Sequence, residues 1–547
     1  MDIITDFFKE MFSHKDMAAI PNIPPMEMNK PFNKREIQQA IKAMKNNKST
    51  GVDGVTAEQL KHGPDIVYQD IADIFNTIAE TGAYPREVKM GDLIPLQKPG
   101  KKRGPVTNLR PIVLLSTIRK ILAICLIRRV GGKIDDTIPH TQTAYRPGRS
   151  TTEQVCAIKM LAEKAITSTD YTAQILLMDM SKAFDTIHRD KVIADLQYIL
   201  DPDELHLVKI LIEDVQITIR INNIKGKPFI TNVGTPQGDC LSPTLFTLYL
   251  AKALREGEPD IPDSLIYDHT YYLTETHLIN AAGTDHTYSK HPGKGFMTEL
   301  QYADDISWIT GNFENGTKHM KEVIPARLRD RNLTINASKT EEYTINHASR
   351  EGAWKTCKYL GSLLDTDKDI ERRKRLALLA FNKIKPVLQD VKLQLGLKMR
   401  IFDALVSSIF LYNAELWTLT NTHNKSMDSF QRKLLRWSMN IRYPQIMTNE
   451  EVYEKTGQCK WSETIQRRRL RWFGHMARLP PRAPARRVLD ESMFTDTKKP
   501  RGGQKATWLK LVARDLAELD LTLEQAVEAA SDRRGWRGLT ERISRRE

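Results

Sequence analysis

Three carboxylates in this chain stand where acids are costly. Asp179 ends the apolar run "AQILLMDM" (173–180), and Asp304 and Asp305 lie side by side in "LQYADDISWIT" (300–310). Adjacent acids among apolar and aromatic neighbours repel each other and lose hydration unless something compensates them. A short apolar run ending in an acid is the pattern of a buried strand that delivers a carboxylate at its tip. The second segment reads as a hairpin with its turn near the two acids. Three carboxylates on adjacent strands make a hard oxygen cage suited to Mg²⁺. Two such ions ~3.5–4 Å apart form the clamp used in in-line phosphoryl transfer. One lowers the pKa of an attacking 3′-hydroxyl; the other holds a triphosphate and stabilises leaving pyrophosphate. The alternative is an exposed turn that happens to carry two acids, since Asp-Asp alone decides nothing.

Several elements must position these acids. "GDLIPLQKPGKKRG" reads as a strand running into a basic turn, and "NLRPIVLLSTIRKILAICLIRRV" begins extended and becomes a helix. "SKAFDTIHRDKVIADLQYIL" has helical periodicity, "VQITIRINN" with "GKPFITNVGTPQGD" alternates like a hairpin entering a loop, and "SPTLFTLYLAKALRE" is helical. Residues 1–30 end in the proline-rich "PNIPPMEMNKPF", which reads as a loop. Residues 256–298 are polar and irregular, the look of an insertion. After residue 365 the segments are helical, and "TIQRRRLRWFGHMARL" is a basic helix with aromatics on it.

The 547 residues suffice for several domains, and 40% hydrophobic content with 27% charge describes a globular protein. No run of ~18 apolar residues predicts a membrane span, and no leader is apparent, so an intracellular chain is expected. The five cysteines include no C-x-x-C pair, which argues against a zinc knuckle. The net charge is +14, and residues 461–510 hold thirteen Lys/Arg against four Asp/Glu. Such lopsidedness suits a polyanion, although a solvated basic face is the plain alternative.

The ordered motifs carry a family resemblance. "YADD" (302–305), "LLMDMSKAFDTI" (176–187) and "GTPQGDCLSP" (234–243) resemble the catalytic motifs of reverse transcriptases in the form used by non-LTR (LINE-type) retrotransposons. "NLRPIVLLS" (108–116) and "QTAYRPGRSTTEQV" (142–155) resemble the fingers motifs of that group. "LTINASKTE" (333–341), "KYLGSLL" (358–364) and "LRWFGHMARLP" (470–480) are similar to its later segments. The resemblance implies an α+β right-hand polymerase: an N-terminal extension (1–30), fingers (31–170), an antiparallel palm (171–364, insertion 251–298) with helices on one face, and a helical thumb (365–450). A basic, mostly helical nucleic-acid-binding domain (451–547) would follow.

It also implies roles. Asp179, Asp304 and Asp305 match the metal-binding triad for two Mg²⁺, with Mn²⁺ as substitute; Asp304 is the stronger candidate and Asp305 the supporting one. Lys339 matches the group that protonates pyrophosphate. Lys98, Arg110, Gln237 and Gly238 match dNTP contacts, and Phe184 matches a bulky gate against a ribose 2′-hydroxyl, with simple core packing as its alternative. Arg146, Arg149, Tyr302, Gly361, Arg467, Arg468, Arg469, Arg471 and Trp472 are expected at nucleic acid. For the last segment the competing reading is a core face of Leu470, Trp472, Phe473 and Leu479 under a basic surface. Expected partners are an RNA template, a DNA primer or target, dNTPs, no membrane, and a separate endonuclease, because the chain is expected to lack one of its own. A group II intron-type reverse transcriptase and maturase, or a catalytically idle RNA-binding derivative, are the rival readings.

Overall fold

The computed structural model describes residues 1–14, 17–169, 171–255, 270–272, 296–311, 321–322, 324–348, 352–494 and 506–542. Most of the insertion expected at 251–298 lies outside the described residues. The strands in chain order are β1 (Met90–Gln97), β2 (Leu109–Leu115), β3 (Ala173–Met178), β4 (Met180–Ser181), β5 (Val215–Ile221), β6 (Ile224–Lys225) and β7 (Phe229–Thr231). They continue as β8 (Thr270–Tyr272), β9 (Phe296–Tyr302), β10 (Asp305–Gly311), β11 (Thr334–Ile335), β12 (Glu341–Ile345), β13 (Lys358–Tyr359) and β14 (Ser362–Leu363). Helices make up most of the rest, so the chain is an α+β protein.

The central sheet has the order β12-β3-β10-β9-β8, and every pairing in it is antiparallel. Its strands are apolar on both faces, and the structure shows why. Leu176, Met178, Ile306 and Trp308 join one core with the helices Thr117–Asp135 and Ser242–Arg255. Ala173, Ile175, Leu300, Ile309 and Ile345 join a second core with the helix Thr151–Thr167 and the C-terminal helices. The expectation of helices on one face is therefore corrected. Successive strand residues point to opposite faces, and a continuous apolar run needs cover on both.

A second sheet, β2-β1-β5-β6 with β7 paired to β5, carries none of the three acids. Here β1 pairs antiparallel with β2 but parallel with β5. Residues 215–231, expected within the palm, thus complete the sheet of the preceding segment. The N-terminal extension opens with a helix, Asp2–Phe12, for which the sequence reading has no expectation. Phe8 and Phe12, four residues apart, share one helix face and bury against Leu93, Val113 and Ile217 of this sheet. "SKAFDTIHRDKVIADLQYIL" is likewise less helical than its periodicity suggests, with a short 3₁₀ turn at Ala183–Asp185 before the helix Arg189–Leu196.

After β14 the chain is helical as expected. The helix Thr366–Gln389 is capped by Asp365, whose carboxylate accepts from the Lys368 N–H. The helix Trp461–Ala477 buries Trp461, Ile465, Leu470, Trp472, Phe473 and Met476.

Candidate active site

The acid turn is a two-residue hairpin. Tyr302 of β9 pairs with Asp305 of β10, which leaves Ala303 and Asp304 in the turn, and Ala303 takes φ of +56°. On the other side, Ile306 of β10 pairs with Met178 of β3. One further step in that antiparallel register sets Asp305 opposite Asp179. The hairpin and the strand tip therefore bring together the acids that the sequence keeps 125 residues apart.

Their electrostatics is uncompensated in a telling way. Burial raises the pKa of Asp304, and the charge of Asp179 adds to that rise, while Lys339 and Arg110 oppose it. Asp305 is exposed by surface, yet the protein behind it and the charges of Asp304 and Asp179 push its pKa to about 6. Asp179 alone has a cation in contact: Lys339 Nζ lies 2.7 Å from its Oδ2. Lys339 is delivered there by the backbone, because the Asn336 N–H donates to the Asp179 carbonyl at 2.8 Å and β11 pairs with β4. A cleft of ≈ 130 Å³ opens beside this pair, lined by Asp179, Asp305, Lys339, Glu341, Lys358 and Tyr359.

Among the described residues, no three His, Cys, Asp or Glu side chains are arranged to hold a metal ion as placed. The donor chemistry nevertheless fits one. The set is all oxygen, it is held on rigid strands, and two of its three acids are driven toward the neutral form by burial and then by the charge of their neighbours. A divalent cation removes that penalty. For it to bind, Asp179 must exchange the Lys339 ammonium for the ion.

The remaining candidates sort by partner. Arg110 is exposed beside Leu96 in the β1–β2 register, and among the described residues its side chain has no hydrogen bond or ion pair, although its charge reaches Asp304 and Lys98. Lys98 Nζ donates to the Thr107 carbonyl at 2.9 Å, and burial followed by Arg110 lowers its pKa. Phe184 stacks on Phe246 at 4.2 Å. Gln237 Nε2 donates to the Asp185 carboxylate at 2.9 Å, and burial pushes that carboxyl to about 6. Gly238 takes φ of +127°, and a Cβ there would come 2.5 Å from the Val113 carbonyl, so its close approach is to β2. Gly361 sits in the β13–β14 turn at φ of +81°, its carbonyl accepting from Arg372 and Arg373. The Ser307 hydroxyl donates to Tyr359 Oη at 3.0 Å and ties that hairpin to β10.

Four residues expected at nucleic acid have partners within the protein. Arg146 donates to the Asp135 carboxylate and to the carbonyls of Pro139 and Gln142. Arg149 pairs with Glu153 at 2.9 Å and donates to the His140 carbonyl. Arg469 is buried against Asp515 at 2.6 Å. Trp472 is in the core, its Nε1–H donating to Cys156 Sγ at 3.3 Å. Of the exposed-side arginines, Arg468 donates to the Leu411 carbonyl at 2.9 Å and Arg471 pairs with Glu541 at 3.1 Å. Arg467 is half-buried on the same helix. The core-face alternative describes this helix: Leu470, Trp472, Phe473 and Leu479 all join one cluster.

Residues that the sequence reading passed over support the acid turn directly. The Gln142 side-chain oxygen accepts from the N–H groups of Ala303 and Ala144, at 3.2 and 3.0 Å. The Thr143 N–H donates to the Gln301 carbonyl, and Gln154 Nε2 donates to the carbonyls of Thr141 and Gln301. Gln142, Gln154 and Gln301 are almost wholly buried. Two glutamines inside "QTAYRPGRSTTEQV" are the available signal, since a buried amide usually finds hydrogen-bond partners within the protein.

Strand-borne acids beside exposed cations define a candidate phosphoryl-transfer site, and comparison with known proteins agrees. Residues 96–364 match the family described as reverse transcriptase (RNA-dependent DNA polymerase). A probable RNA-directed DNA polymerase from transposon BS of Drosophila melanogaster is 29% identical over 232 residues, 42% of this chain and 26% of the relative. The RNA-directed DNA polymerase from mobile element jockey of Drosophila funebris is 24% identical over 463 residues, 79% of this chain and 47% of the relative. The transposon TX1 uncharacterized 149 kDa protein of Xenopus laevis is 30% identical over 219 residues, 40% of this chain and 17% of the relative. The chain thus spans less than half the length of these relatives. Apo telomerase from Candida tropicalis, truncated from its C-terminal domain, overlays with a TM-score of 0.34 at 12% identity, covering 52% of this chain and 55% of that one, and adds nothing to the family match. Residues 96–364 therefore resemble a reverse transcriptase domain, and the relatives of known kind are RNA-directed DNA polymerases of a transposon and a mobile element. No described helix is long and apolar enough to cross a membrane.

Proposed function

We propose that this chain is an RNA-directed DNA polymerase of a non-LTR retrotransposon, adding dNTPs to a primer 3′-hydroxyl on an RNA template for target-primed reverse transcription. The observation that carries it is the convergence of Asp304 and Asp305, in one hairpin turn, on the Asp179 strand tip, inside a domain matched to the reverse transcriptase family. In this reading the central sheet is the palm, the β1–β2 sheet belongs to the fingers, and the helices after residue 365 form the thumb and a C-terminal domain.

Asp179, Asp304 and Asp305 would hold two Mg²⁺ ions, or Mn²⁺, which supply charge neutralisation and a lowered pKa at the attacking hydroxyl. The chain's own side chains do the rest. Arg110 and Lys98 draw the triphosphate toward the acids, and Arg110, whose side chain has no partner among the described residues, suits a planar two-point grip on phosphate. Lys339, once released from Asp179, carries a proton on Nζ next to the position of the leaving group. Phe184, stacked on Phe246, is the wall against a 2′-hydroxyl. Gln142 holds the acid turn in place by accepting from the Ala303 N–H, so rearrangement on metal binding is confined to the Asp179–Lys339 pair.

Primer extension by the purified chain on a DNA-primed RNA template, with dNTPs and Mg²⁺, tests this reading. Templated extension is expected, and a chain that binds the primed template yet adds no nucleotide in Mg²⁺ or Mn²⁺ overturns it. Splicing stimulation of an intron RNA without extension would favour the maturase reading.

A further inference from the structure

The loop that buttresses the acid turn also holds Tyr145, to which no step above gives a role. Its φ is +61°, a region that bulky residues seldom enter and that persists only where the surroundings enforce it. The surroundings are on both sides: Gln142 and Thr143 bond to Gln301 and Ala303 before it, and Arg146 is tied to Asp135 after it. The side chain is 55% exposed, so burial does not explain the strain. What the conformation does achieve is a ring contact. Tyr145 stands edge-on to Phe184, with centroids 6.4 Å apart and planes at 88°. Phe184 in turn lies nearly parallel to Phe246, which is fully buried. Three rings thus run from the core to the surface on the side of the acid turn, where the charge of Asp304 reaches Tyr145, with Phe184 in the middle: Phe246 sets its depth, and Tyr145 limits its tilt on the open side.

We propose that Tyr145 is a positioning residue for sugar discrimination, holding the Phe184 ring in the path of a ribose 2′-hydroxyl so that deoxynucleoside triphosphates are preferred. The inference rests on the polymerase reading above. It also gives the backbone strain a purpose, because a relaxed residue at 145 would not keep the ring edge on Phe184.

Tyr145→Gly separates ring from backbone, since glycine adopts positive φ without penalty and the loop keeps its course. The measurement is kcat/KM for dATP and for ATP, with the full chain on a DNA-primed RNA template. The dATP/ATP ratio is expected to fall ~2- to 10-fold in Y145G, the range that one edge-to-face aromatic contact supports. The dATP kcat should stay near wild type, and Tyr145→Phe, which keeps the ring, should keep the wild-type ratio. A wild-type ratio in Y145G alongside a lowered ratio in Phe184→Val would overturn the role of Tyr145 while leaving the gate intact. Loss of dATP turnover in Y145G would make the residue a structural support only and would equally overturn it. If the wild-type chain extends the primer with neither nucleotide, the polymerase reading itself fails.

Discussion

Two groups of basic residues in this molecule invite the same nucleic-acid reading and differ in the structure. The arginines of the helix Trp461–Ala477 are dense and sit among aromatics, yet Arg469 is buried on Asp515, Arg468 holds a carbonyl and Arg471 pairs with Glu541. Around the acid turn the cations are sparse. Arg110 is exposed without a partner among the described residues, and Lys339 holds a carboxylate that the proposed reaction needs for a metal. Charge density therefore misleads here. A cation whose donors are satisfied inside the protein serves the architecture. One that is free, or paired to an acid with another use, is available to a ligand.

The largest expected effect comes from removing the acid those cations face. Asp304→Ala deletes a carboxylate from a site whose charge stabilisation contributes several kcal/mol, so dNTP incorporation should fall on the order of 10³-fold or more. Affinity for primed RNA template should stay within about twofold, because phosphate contacts supply most of it. Filter binding beside single-turnover extension separates the two, and retained incorporation would remove the acid turn from the mechanism.

Next in size is a break in the other region. Arg469→Ala would leave the Asp515 carboxylate buried and unpaired, a loss of about 3–5 kcal/mol in stability. Urea unfolding should show a lowered midpoint, with RNA affinity unchanged where the protein remains folded. A drop in affinity at unchanged stability would return this arginine to the nucleic-acid surface and dissolve the contrast.

What the sequence disclosed follows from what is local. An apolar run ending in Asp179 and an aromatic hairpin around Asp304 declare themselves through period and composition, and strand pairing joins them as the residues suggest. The parallel β1–β5 pairing does not declare itself, because nothing in either strand names a partner more than a hundred residues away. Trp472 is ambiguous in sequence for a related reason: an aromatic among arginines fits a stacking platform as well as a core, and it is the contact with Cys156 that shows the core side. The helix Asp2–Phe12 was missed because its burial depends on a sheet formed later in the chain. Tyr145 is harder still, since its significance lies in a backbone angle.

A smaller effect is expected at the free cation. Arg110→Ala removes a guanidinium without leaving a buried partner, so stability should hold. The kcat/KM for dNTP should fall ~10- to 100-fold, carried mainly by KM if the group grips the triphosphate in ground and transition states alike. Arg110→Lys should recover part of the loss, because an ammonium supplies charge but not the planar fork. An unchanged KM in both variants would show that an unpartnered cation is no guide to the substrate.

The smallest effect tests the comparison most finely. Arg471 and Glu541 are each 41% exposed, and exposed ion pairs contribute between about 0 and 1 kcal/mol. Arg471→Ala should therefore shift the unfolding midpoint only slightly. The informative quantity is the salt dependence of RNA binding. A phosphate contact releases a counterion, so its removal lowers the slope of log K against log salt by about one, whereas loss of an internal pair leaves the slope alone. The partner accounting predicts an unchanged slope for Arg471. A slope reduced by one would mean that Glu541 yields to phosphate on binding, and that satisfied donors at the rim of this helix are held in reserve for nucleic acid.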